Sequence, residues 1–489
     1  MKKWHVALGL AAFSMAVRLP LLDAPLDRDE GSLACFALGL LDGRLPYRDF
    51  ADIKPPLLYL AYLPMALAGL LAPILFKLTG FLWNALSVIL IWRLATRFAG
   101  EKTALLVALI FAVYTADPSA VGFTITPELL SHLPVIGALL LFHSTLRKPV
   151  PGRALLAGCL LGIAICMKQQ VLPLLLLFIM APLYRRSLRI SFEFLLGALL
   201  TGLVCAGVLA ISGLLWTALD SASWGAVNII AALPASGIPH SLSSIFGGAI
   251  TTQTALWLLA LIGLSDRKIP LRDRLFIGIW FLCAVAGIAM GRRPYPYYLQ
   301  LALPPLAISG GIGLARLIRG PASAVISMAR VCVAGAVLFS LFRVFPLITV
   351  TREVRAWALH PDNHFLEAEK VADWLRDNGP RTAPIFVAGS ELEIAYLAGL
   401  KFAGRCPLPY LLTIKSPDSG KIRDEWLKGI EADTPGVAVY CRSMKAWGDV
   451  YSDLETTNKL RKAAKDYLEG PNWTLANSIP PFDIYIRRH

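Results

Sequence analysis

Seven carboxylates and four basic side chains fall within the 34 residues from Asp23 to Pro56, between two apolar segments. The densest run is Pro25-Leu26-Asp27-Arg28-Asp29-Glu30-Gly31. Leu45-Pro46-Tyr47-Arg48-Asp49-Phe50 and Asp52-Ile53-Lys54-Pro55-Pro56 follow it. Ser32 to Leu41 has the spacing of a short amphipathic helix suited to a membrane surface, which puts Asp29 and Glu30 in the turn that enters it. A carboxylate at such a water–lipid boundary can take the proton of a hydroxyl as a general base. The same acids also suit a plainer purpose, capping the helix and solvating the loop. Spacing by itself leaves both open.

The elements that must hold this loop are membrane spans. The chain has 489 residues, 56% hydrophobic and 16% charged, with a mean hydropathy of +0.60; a soluble domain carries about 25% charge. Apolar stretches recur to about residue 349, each close to the roughly 20 residues a spanning helix needs. Two stretches are ambiguous. Pro56–Phe76 opens with prolines and holds Pro64, Gly69 and Pro73. Ala154–Tyr184, interrupted by Lys168-Gln169-Gln170, is long for one span and short for two. The excess of Lys and Arg in cytoplasmic loops arbitrates. It is satisfied when the first stretch lies along the interface and the second is a hairpin of short helices. The spans then run 4–22, 79–97, 103–117, 128–146, 154–167, 170–184, 190–213, 249–265, 273–290, 298–315 and 331–349. That gives about eleven transmembrane helices in an all-α polytopic domain of the inner (plasma) membrane, with the N-terminus cytoplasmic and the C-terminus outside. The run from Lys2 to Val17 has signal-peptide features, but it continues through Leu22 and more spans follow, so an uncleaved first helix is the reading.

Basic residues left outside against this bias are candidates for function: the first loop, Lys168, Arg292 with Arg293, and Arg343 at a helix end. Before residue 352 there are 28 basic and 14 acidic residues; from Arg352 onward, 19 of each. The net charge of +14 therefore lies in the membrane part, where it orients loops, and nothing points to nucleic acid. The eight cysteines and seven histidines show no metal-ligand spacing and no cofactor motif. A disulfide between Cys406 and Cys441 is left open. Residues 351–489 change character and read as a small extracytoplasmic α/β domain, separate from a 1–350 membrane domain. Helical periodicity covers Glu367–Asp377, Glu391–Leu400 and Lys459–Leu468, and strand patterns cover Ala383–Ala388, Gly436–Tyr440 and Asp483–Arg487.

Asp27-Arg28-Asp29-Glu30-Gly31, Pro46-Tyr47-Arg48-Asp49 and Lys54-Pro55-Pro56 resemble the first loop of the GT-C membrane glycosyltransferases. The branch resembled is the bacterial one related to protein O-mannosyltransferases and aminoarabinose transferases. Lys168-Gln169-Gln170, Tyr295-Pro296-Tyr297-Tyr298-Leu299-Gln300 with Pro304-Pro305, and Ile385-Phe386-Val387 extend the likeness along most of the chain. The resemblance implies transfer of a sugar from a polyprenyl-phosphate carrier to a glycan, lipid or protein acceptor on the extracytoplasmic face, with inversion. It implies Asp29 as base with Glu30 beside it, Lys54 on the donor phosphate and Glu128 as a further catalytic acid. In Thr126-Pro127-Glu128, however, the proline precedes the acid, the reverse of the family's order. The leaving group is a weakly basic lipid phosphate, so it needs cations more than a strong acid. Lys54, Lys168, Arg292 and Arg293 are the expected donor-phosphate contacts. Asp27, Asp52, Tyr295 and Tyr298 are the candidates for sugar or acceptor. Each has an ordinary alternative: Asp52 pairing with Lys54, Lys168 snorkelling, the tyrosines forming an interfacial belt.

A lipid-sugar flippase or transporter is the rival reading. It would require ionisable or broken helices at mid-membrane depth, whereas the spans here are almost free of charge at their centres. A non-catalytic scaffold is a second rival. Acceptor choice is expected in the 214–248 loop and the tail, with Glu391, Tyr396 and Arg405 facing the cleft.

Overall fold

A computed structural model describes residues 3–222, 237–320, 324–342, 345–361, 363–413, 419–448 and 452–488. Arg343 and the middle of the 214–248 loop lie outside them. The chain packs as two compact units.

The first unit comprises Met1–Leu22, Leu78–Gly207 and Ser236–Val350 and is helical. Among the described residues, six helices are long and apolar enough to cross a membrane. A seventh appears if the bent pair Ile238–Thr252 and Thr254–Leu264 is one span. The 43-residue run Pro73–Thr115 is divided at Gly100, whose φ of 79° and ψ of 171° suit glycine. Leu199, Leu203, Val204 and Val208 form an exposed apolar stripe on the Leu188–Ile211 helix. Such a stripe belongs in lipid, and the protein is an integral membrane protein.

Polar side chains tie the helix ends together. Asp273, fully buried, meets Arg147 at 2.6 Å and His143 at 3.2 Å, and it accepts the Tyr184 hydroxyl. A carboxylate is tolerated there because cation and donors surround it. At the opposite helix ends, Gln300 donates to Thr115 O at 3.2 Å and Ala120 O at 3.0 Å, and His132 donates to Gln300 O at 2.8 Å. The second ambiguous stretch does fold back on itself. The Arg153–Met167 helix stops at Lys168, and the chain returns as a 3₁₀ segment, Gln169–Ile179, and a short helix, Met180–Arg185. Arg185 then donates to Leu146 O at 2.7 Å, beside the start of the hairpin. Lys168 therefore stands at the turn.

The second unit comprises Asp23–Lys77, Val208–Ala235 and Thr351–His489. Its sheet has the order β1-β2-β4-β3, with β1 (Ile385–Ala388) parallel to β2 (Val437–Cys441) and the other pairs antiparallel. β3 is Trp473–Ile479 and β4 is Phe482–Arg487. The elements read from the sequence are present within a few residues. The structure adds β3 and the helices Arg352–Leu359 and Ser419–Ala432 to them. β3 is an edge strand whose Thr474, Leu475 and Ala476 are exposed in succession, so the alternation that marks a half-buried strand is missing.

The loop 23–77 packs with the tail, across the 350/351 boundary drawn from composition. The Arg28–Leu41 helix lies against Leu57–Leu71 and Glu393–Ala398. A side chain at Gly31 would run into the Glu393 backbone. Cys35 donates to Leu392 O at 3.5 Å, and Tyr396 donates to Ala66 O at 2.7 Å. Phe36 stacks on Phe50 at 4.4 Å, and both rings meet Phe402. Ser32 through Ala37 are buried against protein, because the apolar stripe finds the tail. Cys406 and Cys441 are buried free thiols.

Candidate functional site

In the second unit the acidic run opens a helix. Asp27 is the N-cap: its carboxylate accepts Glu30 N at 2.8 Å, while Glu30 accepts Asp27 N at 3.1 Å. This is a capping box, with two otherwise unpaired amides satisfied reciprocally. Glu30, expected beside Asp29 in catalysis, is fully buried and holds Lys77 at 2.6 Å. That pair and the cap occupy its carboxylate. Asp27, expected against sugar or acceptor, is likewise committed to the cap. Burial, then Glu30 and Asp29, push the Asp27 carboxyl up to about 7.

Asp29 is different. Its side chain is 42% exposed, and Oδ1 lies 3.5 Å from Lys54 Nζ. Lys54 also stands 3.6 Å from Asp52, whose side chain is fully buried and accepts from Tyr59 at 3.2 Å. Asp52 therefore pairs with Lys54, the ordinary reading. Burial disfavours the Lys54 ammonium, but Asp52, Tyr410 and Asp29 together outweigh it, so its pKa lies above the usual lysine range. The cation is kept charged where an anion could meet it.

Arg28 reaches the tail. It pairs with Glu391 at 2.9 Å and donates to Lys445 O at 2.9 Å. Glu391, expected to face the cleft, is thus tied to the residue before Asp29. Glu393, fully buried, has its pKa raised well above normal by burial and then by Glu391. Arg405 donates to Tyr47 O at 3.0 Å and Tyr396 to Ala66 O, so both staple the loop to the tail.

In the first unit, Glu128 is fully buried in the first turn of the Pro127–Arg147 helix, capped by Thr126. Lys168 Nζ lies 2.7 Å from its carboxylate and 5.3 Å from the Tyr298 ring centre. Arg293 sits 5.8 Å over Tyr295, and Tyr295 stacks on Tyr297 at 5.2 Å and meets Tyr298 edge-on. Arg292 is left-handed (φ 49°) at the end of the Leu271–Gly291 helix, its carbonyl accepting from Ser241 at 2.8 Å. Two residue groups therefore form: Asp27, Asp29, Glu30, Asp52 and Lys54 in one unit, and Glu128, Lys168, Arg293, Tyr295 and Tyr298 in the other. Sequence reasoning missed Lys77 and His132. A lone lysine inside the apolar run Pro73–Gly80 was the available signal for the first. Among the described residues no three His, Cys, Asp or Glu side chains converge as a metal set.

Fold and site together define a class: an integral membrane protein with the GT-C fold of membrane glycosyltransferases. Residues 54–211 match the family described as dolichyl-phosphate-mannose-protein mannosyltransferase. The structure is similar to ArnT from Cupriavidus metallidurans bound to undecaprenyl phosphate, with a TM-score of 0.64 and 14% identity over 99% of this chain and 98% of that one. It is also similar to the archaeal oligosaccharyltransferase AglB from Archaeoglobus fulgidus, in complex with an inhibitory peptide and a dolichol-phosphate. There the TM-score is 0.54 and the identity 11%, covering 94% of this chain and 72% of that one. No curated protein matches the sequence. The resemblance read from the first loop stands at the level of the fold.

Proposed function

We propose that this protein transfers a sugar from a polyprenyl-phosphate carrier to an acceptor hydroxyl on the extracytoplasmic face of the inner membrane, with inversion. The N-terminus is then cytoplasmic and the 351–489 domain extracytoplasmic. One observation carries the reading. Of the three acids in the Asp27–Glu30 run, Asp27 caps the helix, Glu30 holds the cap and Lys77, and Asp29 presents a carboxylate 42% exposed beside Lys54.

Asp29 takes the proton of the acceptor hydroxyl as its oxygen attacks the anomeric carbon. The bond from that carbon to the phosphate oxygen breaks on the opposite face, and the electron pair leaves with the carrier phosphate. Lys54, Lys168, Arg292 and Arg293 are the cations proposed to stabilise that charge, which grows where water is scarce and charge-assisted hydrogen bonds are strong. Glu128 holds the Lys168 ammonium in place. Tyr295 and Tyr298 offer ring faces for a sugar, and Glu30 acts indirectly by fixing the turn that carries Asp29.

The test is transfer from a panel of undecaprenyl-phosphate-linked monosaccharides by full-length protein in lipid nanodiscs. Asp29→Asn is expected to lower kcat at least ~100-fold, the usual contribution of a positioned base, and Lys54→Ala to lower kcat/KM by a similar factor. Cysteines introduced at 29 and 292 should be labelled from the same compartment. Wild-type rates in both variants, properly inserted, would overturn the reading.

A further inference from the structure

The first unit holds a small cavity lined by Ser131 and His132 of the Pro127–Arg147 helix, Gln170 of the hairpin, Trp280 and Cys283 of the Leu271–Gly291 helix, and aliphatic groups. It begins one helical turn beyond Glu128 and two residues beyond Lys168. It leaves about 20 Å³ to the centre of a water-sized sphere, enough for one water or one hydroxyl group.

The polar atoms of the lining restrict what can enter. His132 Nε2 lies 2.8 Å from Gln300 O. A carbonyl only accepts, so Nε2 carries the hydrogen, and in the uncharged imidazole Nδ1 is a bare acceptor. Among the described residues Nδ1 has no hydrogen-bond partner. Gln170 is 4% exposed, and neither its amide nitrogen nor its amide oxygen has a partner among the described residues. Its position is set by glycines: a side chain at Gly287 would meet the Gln170 carbonyl, and one at Gly291 its amide nitrogen. Each buried polar atom left unmatched costs about 1–3 kcal/mol, and these three belong to two residues that line one cavity. A guest that meets them donates to His132 Nδ1 and can both donate to and accept from the Gln170 amide. A carboxylate cannot donate, an ammonium cannot accept, and a methyl group does neither. A hydroxyl does both.

We propose that this cavity is a hydroxyl-binding site, with Gln170 and His132 as its recognition residues. Water fills it in the resting protein, and one hydroxyl of the transferred sugar displaces that water in turnover. The second half rests on the transferase reading and would make these residues determinants of sugar choice.

Two variants of the full-length protein test it. Gln170→Met keeps the volume and removes the amide; Cys283→Leu fills the cavity and leaves both polar side chains in place. A site that binds water predicts a lower Tm for Gln170→Met. A dry site predicts an equal or higher Tm, because an unmatched amide has been removed. Donor choice is read with undecaprenyl-phosphate monosaccharides and their monodeoxy analogues. The wild type should lose at least ~100-fold in kcat/KM on one monodeoxy analogue, as sites built around a substrate hydroxyl do. Both variants should reduce that loss below about threefold. A lower Tm with discrimination intact would leave a structural water only and overturn the substrate half. An unchanged or higher Tm with discrimination intact would overturn the proposal. If the wild type turns over no donor, the transferase reading fails by itself, and the melting comparison still decides whether a hydroxyl binds.

Discussion

The Glu30–Lys77 pair offers a test of how the turn carrying Asp29 is held. Both side chains are buried, at 0% and 1% exposure, with Nζ at 2.6 Å from one carboxylate oxygen and 2.7 Å from the other. Lys77→Met keeps the stem's volume and removes the charge, leaving the Glu30 carboxylate without its cation. Breaking one partner of a buried pair destabilises by about 3–5 kcal/mol, because the remaining charge is left uncompensated. For a unit of this size each kcal/mol is about 2–4 °C of Tm, so the loss corresponds to a fall of roughly 6–20 °C. Glu30→Gln added to Lys77→Met removes the stranded charge while Oε1 still accepts Asp27 N. The double variant should recover most of the loss, since a matched pair of neutral side chains is close to neutral energetically. The assay is thermal unfolding of the full-length protein in detergent, with limited proteolysis of residues 23–77 as a local readout. A Lys77→Met variant as stable as the wild type would refute the reasoning. So would a double variant no better than the single one.

Two further outcomes follow from the same unit. The Asp27 carboxyl is raised from 3.8 to about 7, so between those values the folded state holds a proton that the unfolded chain has released. Stability then falls as pH rises through that window. Asn also accepts at an N-cap, so Asp27→Asn should keep the helix, flatten the decline between about pH 4 and 7 in pH-dependent melting, and be the more stable protein above that window; a parallel decline would refute this. Gly31→Val would drive a branched side chain into the Glu393 backbone. Overpacking of this kind costs about 1–3 kcal/mol or more, and proteolysis should expose the tail helix in that variant while leaving the wild type intact.

Several features were legible because they follow from local composition. The membrane class came from hydropathy, and the hairpin at Lys168 from a run too long for one span and too short for two. The elements of the tail came from periodicity. Spacing left the roles of Asp27, Asp29 and Glu30 open, because the three are alike as letters, and Asp29 was singled out as base only through the family resemblance. What separates them is which carboxylate meets an amide, which meets Lys77 47 residues away, and which stays open.

The sequence by itself determined that the chain dissolves in lipid and that an acidic loop stands between its first spans. It also determined that stray cations gather at a few helix ends, because charge and hydropathy act residue by residue. Only the tertiary structure decided that this loop packs with the tail and that Glu30 is buried against Lys77. It also paired Lys168 with Glu128 and brought His132 and Gln170 to one cavity. Those outcomes depend on contacts between residues far apart in the chain, where burial and pairing decide whether a polar group is structural, silent or free to act.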